Sequence, residues 1–186
     1  MIDIIGYKYL SGGVKMKLEV DGGCLYLPNI LSKDLAVKDL IPKAQESFFK
    51  LQSNPNLTFN GKKIMIDIKK DVQYSWSKCF DHLITERKGS IRIFSKARLR
   101  RIPWIEELLI NCYLNECSNL IITKEEDDKP YYKLECFALN YRIILEERSS
   151  KNDYLLVTAY PIKDEEPIKE KLLLRNNCYK QGGYNE

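Results

Sequence analysis

Four segments in the second half of the chain decide its fold class: Ser118-Asn-Leu-Ile-Ile-Thr123, Tyr131-Tyr-Lys-Leu-Glu-Cys-Phe137, Asn140-Tyr-Arg-Ile-Ile-Leu-Glu146 and Tyr154-Leu-Leu-Val-Thr-Ala-Tyr-Pro-Ile162. Each is strand-length and rich in β-branched and aromatic residues. They are separated by Lys124-Glu-Glu-Asp-Asp-Lys-Pro130, by a very tight connection, and by Arg148-Ser-Ser-Lys-Asn-Asp153. Connections that short force antiparallel neighbours, because a parallel crossover needs about a dozen residues or more. The expectation is a four-stranded antiparallel sheet.

Upstream, the hydrophobic period becomes helical. Across Tyr74–Glu86, Trp76, Cys79, Phe80, Leu83 and Ile84 recur at i, i+3, i+4, i+7 and i+8, forming one stripe. A second helix opens at Pro103, a favoured first-turn position, carries Ile105, Leu108, Leu109 and Cys112 on one face, and ends near Asn115-Glu116. Glu165–Arg175 reads as a closing helix. Helices followed by a run of strands make an α+β domain, with helices packed on the sheet, over residues 57–178. Residues 1–56 read as a small α/β elaboration. It holds an alternating strand at Val14–Val20 and two short helical patterns between Pro28 and Leu51, with Pro42 in the first turn of the second. Asn60-Gly61 marks a turn into an alternating strand at Lys62–Ile68, with Ile64, Ile66 and Ile68 on one face. Residues 179–186 read as a frayed tail.

Composition excludes several classes. The 186 residues are 44% hydrophobic with only 9 Gly and 7 Pro, which suits neither a disordered nor a collagen-like chain. No apolar run approaches the roughly 18 residues that span a bilayer, so no membrane association is expected. The start, Met1-Ile-Asp-Ile-Ile-Gly6, does not read as a secretory signal. The six cysteines, at 24, 79, 112, 117, 136 and 178, form no Cys-x-x-Cys pair, and His82 is the only imidazole. Buried thiols in a reducing cytoplasm are therefore expected, with no metal and no cofactor.

The formal charge is only +4, but seven of the 30 basic residues fall between Arg87 and Arg101 with no acid among them. Arg87, Lys88, Arg92, Lys96 and Arg100 are the expected nucleic-acid contacts of this run, which otherwise reads as an exposed loop and strand. At about 100° per residue, His82 falls roughly 130° from the centre of its helix stripe, outside the core. Thr158 and Tyr160, two apart on a strand, share a face about 7 Å apart. Leu155, Val157 and Ala159 are expected to face the other way, beneath the helices. Trp104 reads as a core anchor.

These residue types are the parts of metal-free RNA cleavage. A histidine near its intrinsic pKa suits removal of the 2′-OH proton at neutral pH. Arginine offers a planar, permanently charged fork to phosphate oxygens. A threonine hydroxyl orients a non-bridging oxygen, and a tyrosine stacks on a base or donates a proton.

In chain order the clusters are Asn60-Gly61, His82-Leu-Ile-Thr85, Arg98-Leu-Arg-Arg-Ile-Pro-Trp104 and Leu156-Val-Thr-Ala-Tyr160. Together they resemble a group of nuclease-like domains from phages and mobile elements related to barnase, EndoU, the tRNase colicins and RelE-type toxins (the BECR superfamily). The resemblance covers roughly residues 57–175. It implies a metal-independent ribonuclease site on the sheet face, with His82 as base, Arg98 and Arg101 as phosphate ligands, and Thr158 and Tyr160 as phosphate or base contacts. This chain departs from the group's pattern at Leu99, Arg100 and Ile84. The expected activity is endoribonucleolytic, of a toxin or phage-defence effector cleaving RNA by 2′-OH transesterification, with an antitoxin or immunity protein as a further partner. Two other readings stand beside it: a non-catalytic RNA- or DNA-binding module using the basic run and the 20 aromatics, and a small interaction or immunity protein.

Overall fold

The computed structural model describes residues 30–31, 34–70, 76–114, 119–126, 128–136 and 139–162. The strand expected at Val14–Val20, the closing helix at Glu165–Arg175 and the C-terminal tail lie outside the described residues.

The chain is α+β, but its main sheet is larger than four strands. Strands β5 (Leu120–Glu125), β6 (Tyr131–Cys136), β7 (Tyr141–Arg148) and β8 (Asp153–Pro161) form the expected antiparallel run. The sheet continues through β2 (Lys62–Met65), parallel to β8, and ends at β1 (Thr58–Phe59), in the order β1-β2-β8-β7-β6-β5. The described sheet is thus six-stranded and mixed. Asn60-Gly61 closes the β1–β2 hairpin with positive φ at both residues (47° and 71°), the geometry for which Asn-Gly is the favoured pair. β2 is shorter than expected. Ile64 is buried, whereas Ile68 stands in solvent.

Of the two helical patterns expected between Pro28 and Leu51, the first falls partly outside the described residues, and α1 (Val37–Ser53) covers the second and extends beyond it. Pro42 lies inside it rather than in a first turn, so one i→i−4 hydrogen bond is lost. The stripe Leu40, Ala44, Phe48 and Leu51, buried in the same core as the sheet, offsets that loss. The helix expected at Tyr74–Glu86 is confined to α2 (Lys78–Ile84), where the Ser77 hydroxyl accepts from the Phe80 N–H at 3.2 Å as an N-cap. It stops because the Thr85 hydroxyl donates to the Asp81 carbonyl at 2.7 Å and the chain turns into β3 (Thr85–Lys88). β3 pairs with β4 (Ile91–Phe94) across Gly89-Ser90, with Gly89 at φ 63°. The basic run therefore begins on an exposed two-stranded hairpin, where one strand and a loop were expected.

A single turn, α3 (Lys96–Leu99), leads to α4 (Ile102–Glu107), which continues as a π-helical turn over Leu108–Cys112. Ile105, Leu108, Leu109 and Cys112 are fully buried, as their spacing predicts. Trp104 is buried edge-on against Tyr141, with ring centroids 5.6 Å apart. Cys79, Cys112 and Cys136 are buried in the core. Burial, with Asp67 nearby, pushes the Cys79 thiol up to about 12, so it is no nucleophile.

β8 does not alternate as expected. Ile144 pairs with Thr158 and Leu145 with Leu156, so Val157 is an extra residue, a β-bulge. Tyr154 and Leu156 point into the core ahead of the bulge, and Ala159 does so after it. Leu155 and Val157 are only half-buried and do not underlie the helices. The bulge has a consequence for Thr158 and Tyr160. In a regular strand they would share the face of Tyr154 and Leu156 and be sealed in the core; the extra residue turns both out of it.

Candidate active site

β2 pairs with β8 only at Tyr154 and Leu155, so the edge of β8 beyond them lacks a strand neighbour among the described residues. Helix α2 takes that place. The Cys79 thiol donates to the Leu156 carbonyl at 3.6 Å, and the Thr158 hydroxyl donates to the His82 carbonyl at 3.4 Å. The His82 carbonyl is available because it belongs to the last turn of α2, whose carbonyls have no helical partner. Arg98 uses it too, donating from Nη1 at 2.9 Å. Arg98 is brought there by α3, which the fully buried Leu99 anchors.

The Arg98 guanidinium also lies over the Tyr160 ring, 5.0 Å from its centroid. Arg142 meets Tyr160 as well: its Nη1 donates to the Tyr160 hydroxyl at 3.0 Å and its guanidinium is 5.7 Å from the ring centroid. His82, Arg98, Thr158 and Tyr160 thus belong to one cluster at the junction of α2, α3 and β8. Its organising atom is a backbone oxygen of the histidine itself. His82 is exposed as a residue, although its ring is partly shielded from solvent, while the neighbours on either side, Asp81 and Leu83, are buried.

Arg101 is placed differently. It donates to the Ala97 carbonyl at 2.9 Å, covers the Trp104 ring at 5.0 Å, and its own carbonyl accepts from the Tyr141 hydroxyl at 3.4 Å. Among the described residues it makes no hydrogen bond or ring contact with His82, Thr158 or Tyr160.

The expected nucleic-acid contacts divide in two. Arg87, Lys88 and Arg92 lie on the β3–β4 hairpin, with Lys96 exposed just beyond it. Arg87 and Arg92 are direct cross-strand partners, a like-charge pairing that costs stability unless an anion or carboxylate relieves it. Arg92 finds partial relief: Nη1 donates to the Thr85 hydroxyl at 2.7 Å and lies 3.6 Å from the Asp81 carboxylate, which is buried. Arg100 is half-buried, and its carbonyl accepts from the Leu31 N–H at 3.0 Å, a structural task.

Partial desolvation, then the Arg92 charge, lower the His82 pKa below its ordinary 6.5, while Asp81 opposes them. The imidazole is therefore neutral, and able to accept a proton, over a wider range than a free histidine. If His82 is the base, the acid limb of kcat/KM lies below pH 6.5. Arg92→Gln removes a cation and leaves Asp81 unneutralised. Both effects raise the proton affinity of His82, so the limb moves to higher pH. A pH–rate profile of the two proteins checks this, and an unmoved limb would detach His82 from the proton transfer.

No protein-family model, no curated protein and no solved structure matches the chain. Among the described residues, no three His, Cys, Asp or Glu side chains gather as a metal site, and no helix is long and apolar enough to cross a membrane. Three residues of the cluster escape a reading of the sequence: Asp81, Glu135 and Arg142. Glu135 lies between Leu134 and Cys136 in an otherwise buried strand segment, and only 1% of it is exposed. A charge at such a position signals a partner, but the partner becomes visible only once the strand register is known.

Proposed function

We propose that the chain is an endoribonuclease that cleaves RNA by attack of the 2′-oxygen on the adjacent phosphate, without a metal. The observation that carries this reading is the Arg98 guanidinium, bonded to the His82 main-chain carbonyl and lying over the Tyr160 ring, which gathers the backbone of the histidine, a phosphate-binding fork and the side chains of Thr158 and Tyr160 in one cluster. His82 takes the 2′-OH proton as the P–O2′ bond forms. Arg98, partly desolvated, meets the charge that builds on the non-bridging oxygens, and it does so more strongly than it would in water. Thr158 orients the phosphate by turning its hydroxyl proton from the His82 carbonyl, a long bond at 3.4 Å, to a non-bridging oxygen. The P–O5′ bond then breaks, leaving a 2′,3′-cyclic phosphate and a 5′-hydroxyl.

The basic hairpin, with Arg87 and Lys88 exposed beside this cluster, supplies sequence-independent attraction for the RNA backbone. The resemblance of the ordered motifs to the nuclease-like group adds to the same reading, as does the role it implies: a cytoplasmic toxin or mobile-element effector held in check by an antitoxin or immunity protein.

The test is incubation of purified protein with mixed-sequence RNA in EDTA. Wild type is expected to cut. Arg98→Ala should lose about 10²–10³-fold in kcat, and Arg98→Lys should recover only part, because an ammonium lacks the planar fork. Wild type as inert as the variants on every RNA tried would remove the reading. The Arg87–Arg92 pairing favours one other reading, a non-catalytic RNA-binding module. It requires salt-sensitive binding with no cleavage.

A further inference from the structure

Glu135, Arg142 and Tyr160 are direct cross-strand partners on β6, β7 and β8, and so stand in one row on the sheet face opposite Leu134, Ile143 and Ala159. Arg142 donates from both Nε and Nη2 to one carboxylate oxygen of Glu135, the Nε bond at 2.7 Å. Its remaining Nη1 reaches the Tyr160 hydroxyl at 3.0 Å. Glu135 is 1% exposed, and so costly a burial of charge is sustained by this pairing. The guanidinium is held from behind, and its aim at Tyr160 is fixed.

The direction of that last bond matters. Arginine has donors and no acceptor, so the phenol oxygen must accept, and the phenol's own proton must point elsewhere. Among the described residues no acceptor takes that proton. Tyr160 is thus an oriented hydroxyl with an unspent donor, turned out of the core by the bulge at Val157 and covered on one side by the Arg98 guanidinium.

We propose that Tyr160 is the proton donor to the departing 5′-oxygen, and that Arg142 and Glu135 are positioning residues that aim its hydroxyl. This rests on the ribonuclease reading above and assigns the step that His82 and Arg98 leave open. As the P–O5′ bond breaks, the phenol proton passes to O5′. The negative charge left on the phenol oxygen faces Arg142 at its hydrogen-bond distance, and the proton taken up by His82 returns through solvent.

A leaving-group comparison tests the assignment. A dinucleotide such as uridylyl-3′,5′-uridine needs a proton on its departing alkoxide; uridine 3′-(4-nitrophenyl phosphate) releases a stable phenolate that needs none. Tyr160→Phe removes only the hydroxyl. It is expected to slow the dinucleotide by about 10²–10⁴-fold and the nitrophenyl ester by less than about 10-fold. Because Arg142→Met alone strands the buried Glu135 charge, the positioning role is read in the Glu135→Gln/Arg142→Met double variant, with its fold checked by circular dichroism. The same selective loss on the dinucleotide is expected, smaller than for Tyr160→Phe. Equal slowing of both substrates by either variant, in an active protein, would make these residues phosphate ligands or structural supports and overturn the proposal. Wild type inert on both substrates would remove the ribonuclease reading, and the proposed donor with it.

Discussion

On the proposed ribonuclease reading, His82→Ala is expected to lower kcat for RNA cleavage by about 10²–10⁴-fold, the worth of a positioned general base, while the midpoint of thermal unfolding stays where it is. The second half of that expectation follows from geometry. What Arg98 and Thr158 grip is the His82 main-chain carbonyl, which alanine keeps. His82 is exposed as a residue, and its imidazole makes no hydrogen bond among the described residues. Alanine is also the best helix former, so α2 loses nothing locally. A variant that is fully folded and inactive is thus a chemical result, read by comparing cleavage rates with unfolding curves. Retention of activity would return His82 to the status of a helix-surface residue whose backbone happens to cap two neighbours.

Phe59→Ala acts on stability, and the expected loss is about 3–5 kcal/mol. Phe59 belongs to the two-residue strand β1, a weak element by itself, yet only 1% of it is exposed. Its ring meets those of Tyr113, Tyr132 and Tyr154 at centroid distances of 4.8, 5.1 and 5.1 Å. One side chain therefore ties the β1–β2 hairpin to the end of the π-helical turn and to the middle of the sheet. Truncating it leaves a cavity among three rings, of which Tyr132 and Tyr154 already pack edge-on against each other at 5.5 Å. Phe49, on the outer side of α1 and 58% exposed, is the control: its alanine variant should stay within about 0.5 kcal/mol of wild type. Urea unfolding of the three proteins checks both. Equal stabilities would mean that the aromatic cluster is not the joint described here.

The parts of the fold that were legible in the sequence are those with local causes. The antiparallel run β5 to β8 follows from short connections, and the buried face of α4 from the spacing Ile105, Leu108, Leu109 and Cys112. Asn60-Gly61 announces its turn by composition. What stayed hidden depends on distant partners or on a conflict of signals. Ile64 pairs with Tyr154 across most of the described chain, and nothing near either residue marks a parallel neighbour. The β3–β4 hairpin is masked because the helical stripe runs up to Ile84 and charged residues follow it. Gly89-Ser90 was its one available sign.

The site divides along the same line. The outward position of His82 follows from helical angle, and the shared face of Thr158 and Tyr160 from strand alternation, although that alternation reaches the right answer only because a bulge restarts it. The Glu135–Arg142–Tyr160 row needs the register of three strands, which the turn lengths alone do not specify. Arg101, in the same basic segment as Arg98, falls on Trp104 instead, because α3 ends at Leu99 and Arg101 takes the non-helical N-cap position of α4 (φ −107°, ψ 7°), which breaks the i, i+3 relation a continuous helix would give.

The most direct measurement is the mass of the products formed from a short RNA and from its 2′-O-methyl counterpart, both in EDTA. RNA fragments ending in 2′,3′-cyclic phosphate with 5′-hydroxyl partners are expected, with the methylated strand untouched. Fragments ending in 3′-hydroxyl and 5′-phosphate, cleavage of the methylated strand, or no cleavage of either would contradict it.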